Sequence, residues 1–189
     1  MIAVVDVDDL HCEDQIVEHL LPRKEAVPGL VVTAYAIPNR LGPVHDLKGK
    51  YPWITFAQHG FEHTFCECLE WTADKARALL TRGRELGYAP LFKPPNWRFD
   101  NELLQAMSEL DIALHHHRKA SIVGWPGRRY WGERKGGTSH TNLHTHIEQN
   151  PATDFIATHA DFSIESLLKF SEFQTPLDHL YVGGTNGEG

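Results

Sequence analysis

Four groups of polar residues stand at the ends of, or within, short apolar runs, and their types and spacing suit proton transfer and metal binding. They are Asp6-Val7-Asp8-Asp9-Leu10-His11, Gln58-His59-Gly60-Phe61-Glu62-His63, Lys93-Pro94-Pro95-Asn96-Trp97 and His144-Thr145-His146. Adjacent carboxylates leaving a buried strand repel one another and lose hydration, which is costly unless a cation or a shared proton compensates. A divalent metal beside Asp8 and Asp9 would do so. The alternative is that the two cap a helix beginning near Glu13, with Asp6 pairing a base elsewhere.

The chain has thirteen histidines, and histidine is the commonest metal ligand and the usual acid or base near neutral pH. His59 and His63 are spaced i, i+4, which puts both imidazoles on one face if the segment is helical. Surface or capping histidines are the other reading of that spacing. Glu62 precedes the second histidine, whereas a zinc protease places Glu directly after the first, so the zincin pattern is absent. His144 and His146 are two apart and share a face if they lie in a strand. His146, nearer the strand's expected carboxyl end, is preferred as a proton donor, and His159 is a further candidate. His115, His116 and His117 are expected in a loop, without a catalytic role.

These groups must be held by something. Runs at 2–7, 30–37, 54–57, 89–92, 112–114, 143–147, 155–157 and 180–182 are short, rich in Val and Ile, and bounded by Pro, Gly or charge, as buried strands are. Segments 13–21, 72–86, 101–110 and 163–170 carry helical spacing, with Thr72 and Ser163 as N-caps and Asp74 and Glu165 in the first turn. The alternation implies a mainly parallel sheet covered by helices, open or closed as a barrel. Functional groups gather at the carboxyl ends of such strands, where these clusters fall. Residues 115–140 contain Gly124-Trp125-Pro126-Gly127 and Lys135-Gly136-Gly137 and are expected as long loops, with a short strand near Tyr130.

With 189 residues, 41% of them hydrophobic and 23% charged, the chain is expected to form one domain over 1–182 and a frayed tail at 183–189. Its formal charge of -7 argues against nucleic acid as a partner. Cys12, Cys66 and Cys68 cannot all pair and form no C-x-x-C, so a reducing compartment is the simpler expectation. No signal peptide and no membrane-spanning run is visible, which makes the cytoplasm the default. Oligomeric state is unreadable.

The order of the clusters resembles the polysaccharide deacetylase family, the NodB-like carbohydrate esterases. An Asp-Asp pair follows the first strand, H-x-x-x-H a middle strand, and a basic residue before Pro-Pro comes third; a late strand bears His. The resemblance spans Val4 to about Val182. It implies a distorted (β/α) barrel and a metal-dependent hydrolase acting on the C–N bond of an N-acetylated sugar or polysaccharide. Asp8 matches the catalytic base, and Asp9, His59 and His63 match the metal ligands. Lys93, Pro95, Asn96 and Trp97 match the groove-lining motif, which offers a backbone N–H to the oxyanion. Leu143, His144 and His146 match the motif that carries the general acid and the acetyl-methyl lining. Two His and one Asp suit Zn first, with Co, Ni or Fe tolerated, and the implied partner is a carbohydrate.

The chain departs from the family pattern at several points. Lys93 stands for the usual Arg, Asn96-Trp97 for an aromatic followed by Gly, and Gly60 for the usual hydroxyl residue. The fourth motif, an Asp near a Trp that orients the third-motif base, has only Asp111 and Trp125 as guesses. Among the aromatics near turns, namely Trp53, Trp97, Trp125, Tyr130 and Trp131, Trp97 is the one expected at substrate, the others serving equally as core. Two rival readings remain: a haloacid-dehalogenase-like phosphatase using Asp6 and Asp8 as D-x-D, and a non-catalytic carbohydrate-binding relative of the deacetylase fold.

Overall fold

The computed structural model describes residues 2–116, 129–132, 146–150, 153–159, 164–175, 177 and 181–182. Strand β1 (Ile2–Leu10) leads through α1 (Glu13–Gln15), a π-helical segment (Ile16–Leu20) and α2 (Leu21–Ala26) to β2 (Val32–Ala36). Short helices α3 (Pro38–Leu41) and α4 (His45–Lys50) precede β3 (Ile54–His59), and a 3-10 turn (Glu67–Glu70) precedes α5 (Ala73–Glu85). Then come β4 (Leu91–Lys93), a 3-10 turn (Pro95–Trp97), α6 (Asn101–Glu109), β5 (Ala113–His116) and β6 (Arg129–Gly132). The remaining elements are β7 (His146–Asn150), β8 (Thr153–His159), α7 (Ile164–Leu167), β9 (Glu172–Gln174) and β10 (Tyr181–Val182).

One sheet joins the strands in the order β10-β6-β5-β4-β3-β2-β1-β8-β7, with β9 on the start of β1. Every neighbouring pair from β6 to β8 is parallel. This curled parallel sheet under helices is the distorted (β/α) barrel expected from the sequence. Because both faces are covered, its strands read as continuous apolar runs.

Strand alternation sorts those runs into two layers. Val5, Val7, Ala34, Ala36 and Phe56 pack outward with Ile16, Leu20 and Tyr88. Phe92 and Leu114 meet Leu80, Leu103 and Met107 of α5 and α6. The opposite face carries Tyr35, Ala57, Leu91 and Ala113. The residues that alternate with the outward set near the strand ends are therefore Asp6, Asp8, His59, Lys93 and His115, and the fold delivers them together.

Several expectations need correction. β1 runs on to Leu10, with a bulge between Val7 and Leu10, so Asp8 and Asp9 lie inside the strand rather than beyond it. The first helical stretch continues past 21 to Ala26: Pro22 lacks an N–H for the α ladder, and the π segment just before it takes up the irregularity. His115 and His116 are strand residues of β5, not loop. The part of the expected strand at 143–147 that is described, from His146 on, pairs antiparallel to β8, because a two-residue connection makes a hairpin and is too short for a parallel crossover. The expected helix at 163–170 ends early, with α7 closing at Leu167. Leu143, His144, His117, Trp125, Ser163 and the tail 183–189 lie outside the described residues.

Thr72 caps α5, its hydroxyl accepting from Lys75 N at 3.3 Å. Asp100 caps α6 in the same way, accepting from Leu103 N at 3.2 Å.

Candidate active site

At the carboxyl end of the sheet, Asp9, His59 and His63 bring three ligand atoms within 4.8 Å of one another. Asp9 Oδ1 lies 2.9 Å from His63 Nε2 and 3.5 Å from His59 Nε2. Asp9 reaches this point through the bulge, at a φ of 62°, a left-handed conformation that Asp tolerates better than most residues. The buried His59 donates its Nδ1–H to Lys93 O at 2.8 Å, which leaves Nε2 with its lone pair facing Asp9. A metal-binding imidazole needs this arrangement. Burial pulls His59 below the ordinary histidine pKa, whereas the hydrogen bond to Asp9 raises His63.

His63 does not reach the site along a helix. His59 is the last residue of β3, and the chain then turns at Gly60, φ 62°, and again at His63, φ 60°. The i, i+4 spacing was legible, but the geometry behind it is a tight turn. The buried Glu67 carboxylate closes that turn by accepting from Phe61 N at 2.5 Å and from Glu62 N and Thr64 N at 3.1 Å.

Beneath these three side chains lies a buried charge cluster. Lys93 is 1% exposed, and its Nζ sits 2.6 Å from Asp6 Oδ2 and 2.9 Å from Asp8 Oδ1. Asp6 is fully buried, and His115 Nδ1 lies 4.0 Å from its Oδ2 while meeting Tyr35 Oη at 2.5 Å. Burial by itself raises the Asp8 carboxyl. The Lys93 ammonium, helped by His59, more than reverses this and holds Asp8 below the ordinary carboxylate range.

A cavity of about 540 Å³ opens over these groups, lined by Asp8, Asp9, His59, His63 and Lys93 together with Phe65, Pro94, Asn96, Trp97 and Arg98. Lys93 forms part of its floor. Pro95 is buried, against the position a Gly60 side chain would take, so Pro94 faces the cavity instead. Asn96 and Trp97 both adopt positive φ, 54° and 56°. Trp97 thus holds a left-handed conformation where the deacetylase motif has Gly, at a cost of about 1–2 kcal/mol. Its ring covers the Lys93 ammonium at 4.7 Å and meets His115 edge-on at 5.6 Å, contacts that offset the strain. Trp97 N–H is donated to Pro94 O, so within the groove-lining motif Asn96 is the backbone N–H left to consider for an oxyanion.

Trp53 packs on the core away from the cavity. Asp111 sits on an exposed turn before β5, at the end of the sheet opposite the site; the carboxylate that holds Lys93 is Asp6. Tyr130 and Trp131 lie in β6. His146 opens β7, level with Ala157 of β8, which pairs with Asp6, and His159 pairs with Asp8. His146 therefore stands at the start of its strand rather than toward its carboxyl end, yet the hairpin brings it to the same edge of the sheet. Sequence reasoning missed Glu67, Tyr35 and Phe65 and set His115 aside. Only Phe65, 78% exposed, carried a signal, as an aromatic two residues after His63.

No family model and no curated protein matches the chain. Among solved structures, a family 4 acetyl xylan esterase from Clostridium thermocellum in complex with a cobalt ion is similar at TM-score 0.58 and 13% identity. The match covers 94% of this chain and 89% of that one. A family 4 carbohydrate esterase from Streptomyces lividans in complex with acetate is similar at TM-score 0.49 and 15% identity, over 59% of this chain and 60% of that one. The Xyl-CE4 domain of a multidomain xylanase from the hindgut metagenome of Trinervitermes trinervoides gives 0.48 and 13%, over 71% and 75%. This chain thus spans about three fifths of the Streptomyces esterase. The fold is that of the family 4 carbohydrate esterases, the one expected from the motifs.

Proposed function

We propose that this chain is a metal-dependent hydrolase that removes an acetyl group from an N-acetylated carbohydrate. The observation that carries the reading is the convergence of Asp9, His59 and His63 on one point of a solvent-open cavity, with Asp8 beside them. The donor set fits a divalent ion: one carboxylate oxygen and two imidazole nitrogens leave positions for water and substrate. Zn is the first expectation, and Co, Ni or Fe suit the same ligands. Bound there, such an ion would supply Lewis acidity toward the acetyl carbonyl and toward water.

The chain's own residues do the rest. Asp8, kept ionised by Lys93, accepts the proton of the attacking water. Lys93 is itself held by Asp6, so the base is fixed from below by a lysine that cannot swing away. The oxyanion that forms meets the backbone N–H of Asn96. Protonation of the departing amine falls to a histidine late in the chain, with His146 first and His144 and His159 as alternatives. Trp97 and Phe65 offer apolar faces to a sugar ring, and Leu143 belongs to the expected methyl lining. The phosphatase reading loses support from Asp6, since a nucleophile must reach its substrate and Asp6 is wholly buried on Lys93.

Elemental analysis of the purified protein tests the proposal. About one equivalent of a divalent transition metal is expected, absent from a His59→Ala, His63→Ala double variant. Asp8→Asn is expected to keep the metal and to lower acetate release from N-acetylated sugars by roughly 10²–10⁴-fold. A wild-type protein that takes up no metal, even when zinc is added, would exclude the deacetylase.

A further inference from the structure

We infer that Glu67 is a positioning residue of the metal centre, its buried carboxylate fixing the turn that carries His63. The inference rests on the reading of Asp9, His59 and His63 as metal ligands. Glu67 is 4% exposed, and a glutamate is almost never that buried unless its charge is compensated. Among the described residues no ion pair is formed by Glu67. Compensation comes from backbone: Oε1 accepts from Phe61 N, and Oε2 accepts from Glu62 N and Thr64 N.

The last two amides flank His63 on either side. His63 is itself at φ 60°, a conformation that persists in a non-glycine residue only where its surroundings enforce it. The enforcement visible here is the carboxylate. Gly60 is shaped to admit it, since a Cβ at that position would lie 2.2 Å from Glu67 Oε1 and 2.9 Å from its carboxyl carbon. The turn's one glycine therefore stands where the glutamate inserts. Such a brace presents His63 Nε2 to Asp9 before any ion arrives, and preorganisation of this kind raises affinity by removing an ordering cost from binding.

Cobalt(II) titration of the metal-free protein, followed by the visible absorption of the bound ion, separates the outcomes. Glu67→Gln keeps the size of the side chain but sets an amide NH₂ against backbone N–H groups. Its cobalt dissociation constant is expected to rise roughly 10–100-fold, the usual effect of losing a group that orients ligands, with an altered absorption band at saturation. A merely structural Glu67 would lower the melting temperature of the metal-free variant and leave both the cobalt affinity and the band unchanged; that result overturns the inference and spares the metal centre. Wild type that binds no cobalt overturns the metal centre itself. Amide exchange on metal-free wild type needs no variant: the amides of Phe61, Glu62 and Thr64 are expected to exchange at least about 10-fold more slowly than unprotected ones. Unprotected rates there also overturn the inference.

Discussion

Lys93 is the residue whose environment differs most from what its type would suggest. A lysine 1% exposed is tolerable only because Asp6 and Asp8 take its charge, and those two are tolerable only because of it. Lys93→Met should therefore cost about 3–5 kcal/mol, the range for leaving a buried charge unpaired, measured as a lower urea midpoint at unchanged slope. A loss below about 1 kcal/mol would mean that water reaches Asp6. At this scale the sequence was partly legible. The pair Asp8-Asp9 called for a cation or a shared proton unless it capped a helix, and Asp6 was open to pairing with a base elsewhere. That the base is Lys93 could not be read, because 87 positions separate the partners and only the stacking of β1, β2, β3 and β4 aligns them.

Among the elements, the turn after β3 departs furthest from a helical reading. Two histidines four apart share a face of a helix, but they also meet when a strand end folds back on itself, and spacing alone does not separate the two. Gly60 was the available signal, since a glycine directly after a strand marks a turn with positive φ. Gly60→Ala should destabilise the metal-free protein by at least about 2 kcal/mol. Its Cβ would meet Glu67 and Pro95, overpacking costs about 1–3 kcal/mol, and the left-handed conformation adds roughly 1–2 kcal/mol for an L side chain. Thermal unfolding reads this directly, and an unchanged melting temperature would mean that the turn has a second conformation of equal energy. The same limit of pattern reasoning hid the β7–β8 hairpin. Buried strands look alike in sequence whichever way they run, and direction was decided by a connection two residues long.

For the molecule as a whole, the strand-helix alternation and the cluster order were enough to anticipate a distorted barrel with Asp8, Asp9, His59 and Lys93 at the strands' carboxyl ends. Among the described residues no helix is long and apolar enough to cross a membrane. If the centre binds an ion only in the folded state, metal should stabilise the whole sheet, because its ligands come from β1, β3 and the following turn. At free metal about 100 times the dissociation constant the gain is about 2.7 kcal/mol, or roughly 5–10 °C in melting temperature for a chain of this size. Differential scanning calorimetry with added zinc and with a chelator measures it, and the His59→Ala, His63→Ala variant should show no shift. Equal melting temperatures for wild type with and without metal would place the ion outside the fold.

The distance along the chain between Asp6 and Lys93 bears also on how the protein is made. When a ribosome has released β1 and β2, both carboxylates are already present, but the ammonium that neutralises them is not. Burying Asp6 at that stage would strand its charge, so the nascent amino-terminal strands have no stable sheet to join until β4 emerges. Burial of Asp6 is thereby tied to synthesis of the segment that also supplies the floor of the cavity.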